Sequence, residues 1–354
     1  VDRITAHRDG DPMTPRAEPL PAKALVIQDL QGVLPRRLEE AEGVVVRREP
    51  GRIEVDHALK LRVANATHTA MVHAMALGGL ASTSACIGHP LLIPYLEKLY
   101  SLDIGHRAAK ELGVELSEVD GVWADWSRRL QHPSFGLSTL FVSQNAFQKL
   151  GIRLMPSVLA ALRAREPPSR CMVFAFAAAL RFLTPAEAAE AEAGGEAPGR
   201  GGAVRTGRMD TPDPEAVDEE REYTGGLSAN FRRGSYRFRD SSGVADTLAE
   251  TAKLPPAEAK RAISRLLERV GLPHTGADEG VGGGGGRTNP LAQAFAAEVT
   301  GLFFRVASSC SDKGEDCEAA MAVLAGLLGK PRGPPCAKGV VGEREAEGAG
   351  AQAR

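Results

Sequence analysis

Three side chains in the segment Lys60-Leu-Arg-Val-Ala-Asn65-Ala-Thr-His68 could together move a proton and hold an oxygen. A lysine at the mouth of a buried helix would lose hydration, which lowers its pKa and lets it serve as a base near neutral pH. An asparagine amide can donate to a developing alkoxide. A histidine can hold a substrate hydroxyl. At about 100° per residue, Lys60, His68 and Asn65 fall near 0°, 80° and 140° and can share one helix face. Spacing alone favours the plainer reading: a capping lysine, a surface asparagine and a satisfied core histidine.

The elements that must position these residues are helical. Residues 68–80 are apolar nearly all round and rich in small side chains (Ala70, Ala74, Ala76, Gly78, Gly79), which predicts a buried, closely packed helix. Pro90 is placed to open a helix running to about residue 102. Amphipathic stretches follow at 103–112 and 117–130, with Trp123 and Trp126 on one face as core. Residues 138–162 read as a long helix that Pro156 must break or kink. Residues 171–183 read as a second fully buried helix. Further helices are predicted at 243–253, 256–270, 289–309 and 314–328. Ala24-Leu25-Val26-Ile27, Val44-Val45-Val46 and residues 235–239 read as short strands.

Composition sets the class. The chain has 354 residues, 43% apolar and 25% charged, which excludes wholesale disorder. That length predicts two domains, or one with long appendages. Its net charge of −2 excludes a general surface for nucleic acid or an anionic membrane. Aromatics are only 5%, so Ala, Leu and Val must build the core, which favours helices. The first thirty residues hold no apolar signal segment. No apolar run approaches the roughly 20 residues of a membrane span, so a cytoplasmic location is expected. The five cysteines show no zinc spacing. Cys310 and Cys317 could pair across a helical turn; free thiols in a reducing cytosol are the plainer reading.

From Thr184 the sequence becomes Ala, Glu, Gly and Pro, and residues 184–222 read as a disordered insertion. Residues 329–354 read as a disordered tail. Gly280-Val-Gly282-Gly-Gly-Gly285 matches a dinucleotide fingerprint in letters only, since no strand precedes it; it reads as a linker. His73 reads as core, or as support behind His68, and His89 as a turn residue ahead of a helix. Glu187, Glu190 and Glu192 read as a solvated run, not a metal site. Arg232, Arg233, Arg237 and Arg239 read as a solvated strand face.

The motif Lys-Leu-Arg-x-x-Asn-x-x-His-Thr resembles the signature of the long-chain polyol dehydrogenases. That family includes mannitol 2-dehydrogenase, fructuronate reductase and tagaturonate reductase. Other stretches resemble it in order. Val1-Asp-Arg-Ile-Thr5 is similar to the end of the family's nucleotide-binding domain, and Leu25-Val-Ile-Gln28 to its WVIE strand. Leu130-Gln-His-Pro133 is similar to its turn before the second motif. Asn145-Ala-Phe-Gln-Lys149, with Arg153-Leu-Met-Pro156, is similar to the segment NS-x-SK-x-KVRVLPSL of the tagaturonate reductases. Val173-Phe-Ala-Phe-Ala177 and Gly234-Ser-Tyr-Arg-Phe-Arg-Asp240 fit the same branch. The resemblance covers residues 1–183 closely and 223–328 faintly.

It implies a mostly α chain: the helical substrate domain of a two-domain (Rossmann plus helical) dehydrogenase, with short β elements at its N-terminus. Residues 1–55 would close the nucleotide-binding domain, 56–183 would form the substrate domain, and 223–328 would complete it. The implied activity is hydride transfer between NAD or NADP and a sugar or sugar-acid substrate, without metal. Lys60 would be the acid/base, Asn65 would polarise the reacting oxygen, and His68 would position it. Asn145 and Lys149 would bind the distal substrate, with Lys149 near a carboxylate, and Asp2 would lie near the nicotinamide. Because the chain opens on Val1, most of a nucleotide-binding domain is expected to be encoded ahead of it. The departures are Phe141 where polyol-oxidising members have an arginine, His57 for a glutamate, Ala66 for a glycine and His132 in the turn. Phe141 argues against mannitol. The missing nucleotide-binding domain, Phe141 and the insertion leave open a non-catalytic helical binding module, with no nucleic-acid or membrane partner and no oligomeric state assigned.

Overall fold

A computed structural model describes residues 25–132, 135–185, 221–225, 236–275, 288–308 and 319–329. These residues are mostly α. The chain opens with strand β1 (Leu25–Gln28), the short helix α1 (Arg36–Glu39) and strand β2 (Val44–Arg47). The two strands pair in parallel, Leu25 opposite Val44. Arg47 then grips both carboxylate oxygens of Asp56 at 2.6 and 2.8 Å, which ties this small sheet to helix α2 (Arg52–Leu59).

Helix α2 does not end at Leu59. It runs through a π turn (Lys60–Asn65) into α3 (Ala66–Leu77). A π turn closes its hydrogen bonds over one more residue than an α turn. The 100° step used to place Lys60, Asn65 and His68 on one face therefore does not hold across this segment. Every residue of α3 is buried, as its lack of a polar face requires. The helix stops three residues short of the predicted end. Leu80 N–H reaches Met75 C=O at 2.9 Å, Gly79 N–H reaches Ala76 C=O at 3.2 Å, and Gly79 sits at φ +71°. That is a Schellman stop, and glycine takes its left-handed position without a Cβ clash.

The next elements are α4 (Leu92–Leu99), a second π turn (Tyr100–Ile104), α5 (Gly105–Leu112) and α6 (Leu116–Leu130). Helix α4 starts at Leu92 rather than at Pro90. His89 is the turn residue the sequence suggests: its Nδ1 accepts from the amides of Leu91 and Leu92 at 3.2 and 3.3 Å. Trp126 is buried, and Trp123 stacks on the Tyr100 ring at 4.8 Å.

The predicted long helix over 138–162 is three pieces: α7 (Thr139–Ser143), α8 (Ala146–Lys149) and, after a third π turn (Leu150–Leu154), α9 (Met155–Arg163). The break comes earlier than Pro156, at Asn145, whose backbone is left-handed at φ 55°. Pro156 opens α9, where a missing amide donor costs no hydrogen bond. Helix α10 (Arg170–Phe182) is capped by Ser169, whose hydroxyl accepts from the amides of Cys171 and Met172. Buried Asp103 takes both the amide and the hydroxyl of that serine, fixing the cap to the preceding helices.

Beyond it lie β3 (Arg221–Gly225) and β4 (Tyr236–Asp240), an antiparallel pair. Arg221 and Glu222 are thus in a strand rather than in the expected insertion. Helices α11 (Val244–Lys253), α12 (Pro256–Arg269), α13 (Pro290–Ser308) and α14 (Ala319–Leu328) complete the fold. Helices α3 and α10 lie side by side at the centre, with α4, α7, α13 and α14 around them. Alanine-rich faces let α3 and α10 approach closely, and aromatic pairs lock the periphery. Phe176 of α10 meets Phe295 of α13 edge-on at 5.3 Å, and Phe238 of β4 lies against Phe182 at 5.6 Å. Cys86 and Cys171 are buried free thiols; Cys310, Cys317, the glycine run and most of residues 184–222 lie outside the described residues. Among the described residues no helix is long and apolar enough to cross a membrane.

Candidate active site

The motif residues spread along one continuous helical run, from exposed to buried. Lys60 is exposed, Asn65 is half-buried at the start of α3, and His68 is 8% exposed. The desolvation expected at Lys60 is therefore not found there. The flanking Leu59, Arg62 and Val63 turn inward, and Lys60 faces out.

His68 packs its ring against Trp126, centroids 5.0 Å apart, and near Phe135. Burial pushes its pKa down to about 4, helped by the charges of Arg153 and Lys149. It is a neutral imidazole at neutral pH, and its buried Nε2 has no hydrogen-bond partner. His73, more than one turn further along α3, is wholly buried against Phe182 at 5.2 Å. Burial first, then Lys149, hold its pKa at about 3. The Ser143 backbone lies beside its ring, but neither ring nitrogen makes a well-formed hydrogen bond.

The desolvated lysine is Lys149. It is half-buried, and its ammonium donates to the Val142 carbonyl at 2.7 Å, back across the Asn145 break. Burial, then the neighbouring Arg153 guanidinium, push its pKa down to about 8. Arg153, in the π turn after Lys149, donates through Nη1 to Thr69 Oγ1 at 3.0 Å. That bond ties the Lys149 segment to α3 beside His68.

The structure thus brings His68, Lys149, Arg153 and Thr69 together, with His73 behind them. Arg153 and Thr69 lie within the two motif segments, but the motifs assign them no role; the spacing of four between Lys149 and Arg153, one helical turn, is a further signal. Asn145 goes elsewhere. It is exposed and lines a shallow surface concavity with Arg239, Asp240, Ser241 and Ser242. Phe141, at the position of the family arginine, is 72% exposed. Asp2 lies outside the described residues.

A dinucleotide needs free backbone amides at a strand-to-helix turn. The turn after β1 does not offer them. Asp29 already accepts from the amides of Val33 and Leu34 at 3.0 and 3.1 Å, and Arg48 pairs with the same carboxylate at 2.7 Å. That turn therefore offers no free amides to a pyrophosphate. Nor do three His, Cys, Asp or Glu side chains among them gather where they could hold a metal ion.

No family model matches the chain, and no curated protein matches it. Among solved structures that match is a D-sorbitol dehydrogenase in substrate-free form, 14% identical with a TM-score of 0.40. The match covers 78% of this chain and 42% of that one, so the chain spans less than half of its length. A likeness of this size fixes neither fold nor activity.

Proposed function

We propose that this chain is the substrate-binding and acid/base half of an NAD(P)-dependent oxidoreductase that interconverts a ketose-type sugar or sugar acid and its alcohol. The observation that carries the reading is the run Lys60–Asn65–His68 on one unbroken helical segment, with Lys149 and Arg153 packed beside its buried end. In the oxidising direction the Lys60 amine takes the proton of the substrate hydroxyl as hydrogen leaves the same carbon with its electron pair. The Asn65 amide donates to that oxygen and steadies the charge building on it. His68, held neutral, accepts or donates one hydrogen bond to a substrate hydroxyl and adds no charge of its own. The hydride acceptor would be NAD or NADP.

Turnover by the full-length gene product tests this reading, with NAD(P)H and a panel of ketoses and keto sugar acids. Wild type should turn over, and Lys60→Ala should lose about 10²–10⁴-fold, the usual contribution of a positioned acid/base. Equal rates in the two proteins would remove Lys60 from the chemistry.

The exposure of Lys60 favours a second reading, a helical module that binds a sugar or sugar acid without catalysis. Binding without turnover by the wild-type gene product would select it.

A further inference from the structure

Three sulfur atoms meet in the core of this fold. The Cys86 thiol lies 3.0 Å from Met71 Sδ and 3.5 Å from Met75 Sδ. All three residues are fully buried. A thiol carries one hydrogen, so it can donate to only one of the two thioethers at a time. The other thioether then faces the Cys86 sulfur with no hydrogen between them. The other described free thiol, Cys171, is built differently: its neighbour is the Ser169 hydroxyl.

Met71 and Met75 are four residues apart on α3, one helical turn, so both thioethers leave one face of a helix that is buried throughout. Cys86 comes from a different kind of element, a single 3₁₀ turn (Thr83–Cys86). The start of that turn is pinned by Thr83. Its amide donates to Leu137 C=O and its hydroxyl accepts from Leu137 N–H, both at 2.9 Å. The end of the turn runs into exposed Ile87 and Gly88. The thiol is thus carried on a surface turn that can open locally, over two thioethers fixed on the central helix.

Thiolate and thioether sulfur are soft donors, and they suit Cu(I). Zn(II) takes cysteine, histidine or carboxylate rather than thioether. Charge points the same way. One thiolate cancels one monovalent ion, and the thioethers are neutral, so the loaded site adds no net charge to the core. A divalent ion would leave one positive charge there uncompensated. Burial pushes the Cys86 pKa up to about 12, so the entering ion displaces the thiol proton, which leaves to solvent. With metal–sulfur bonds of about 2.3 Å, three sulfurs around one ion stand about 4 Å apart. The thiol must then draw back from the thioethers by ~0.5–1 Å, a shift that unbranched methionine chains and a short surface turn can supply.

We propose that Cys86, Met71 and Met75 form a three-sulfur site that binds one Cu(I) ion. The site is independent of the hydride-transfer reading: it involves neither a sugar substrate nor a nicotinamide cofactor.

The test is methyl NMR of the reduced 354-residue chain, isotope-labelled at its seven methionine methyls. It is titrated without oxygen, once with Cu(I) and once with Zn(II). Methionine methyls respond to thioether coordination, so Cu(I) held by cysteines alone leaves them in place. Cu(I) should shift the Met71 and Met75 methyls, and Zn(II) should shift neither. Met71→Leu and Met75→Leu, close to volume-conserving, assign the two signals. In Met71→Leu, half-shift of the Met75 methyl should need at least ~10-fold more free Cu(I), set by a competing chelator, because one of three donors is gone. Cys86→Ser should abolish both shifts. Should that variant fail to fold, the comparison of Cu(I) with Zn(II) in wild type still decides. Unmoved Met71 and Met75 methyls in excess Cu(I), equal shifts with Zn(II), or shifts that survive Cys86→Ser overturn the site.

Discussion

The Arg153 guanidinium donates to the Thr69 hydroxyl at 3.0 Å, joining two segments far apart in sequence. Through that bond the π turn that follows Lys149 is set against the helix that carries His68. The chemistry-bearing cluster of this fold is held by packing and by one polar clamp, rather than by a cleft between sheets.

Lys149 should titrate well below an ordinary lysine. Its pKa of about 8 follows from burial and from Arg153. Competitive labelling of lysine amines across a pH series should find Lys149 half-reactive near pH 8. A Lys149 midpoint near 10.5 would show that water reaches it freely.

His73 should make the fold acid-sensitive. Its folded pKa of about 3 lies below the ordinary value near 6.5, so between those values the unfolded chain binds the extra proton. The stability it preserves is complete above about pH 6.5 and is lost as pH falls toward 3. His68, at about 4, acts in the same direction. His73→Leu should flatten the fall of Tm between pH 6.5 and 4, by an amount on the order of 2–4 kcal/mol in stability. An unchanged slope would mean that His73 is hydrated or paired.

Gly79→Ala should destabilise without any clash. An added Cβ meets nothing within 4 Å, so the whole cost is conformational, from φ +71°. The expected loss is about 1–2 kcal/mol. Thermal melts read it as a drop of a few degrees, and an unchanged Tm would place the stop of α3 elsewhere.

The parts of this fold legible in sequence were those set by composition alone. The apolar, alanine-rich windows became α3 and α10, and Val44-Val45-Val46 became a strand because β-branched residues suit little else. What escaped was geometry that costs no change of residue type. The π turn at Lys60–Asn65 is spelled with ordinary helix formers, so a regular 100° step misplaced Asn65 relative to Lys60. The left-handed Asn145 broke a run that reads as one helix, because asparagine tolerates that conformation without glycine's signature. Desolvation was assigned to the lysine nearest the apolar helix. It fell on Lys149, since burial depends on which segment folds back over which, and that is written in no window of the chain. Asn145 and Lys149 are near neighbours in sequence, yet Asn145 lies exposed in a shallow concavity while the Lys149 ammonium turns back to the Val142 carbonyl.

A helix with no solvent face has nothing to fold for until its neighbours arrive. All of α3 is such a helix. Its amides can therefore exchange with solvent only when the whole domain opens, and it should be the slowest-exchanging segment of the chain. His68, Thr69 and His73 are carried on that segment. One wall of the cluster is then as rigid as the protein is stable, and any adjustment to a bound molecule falls to the opposite wall, the short pieces from α7 to the π turn at Arg153.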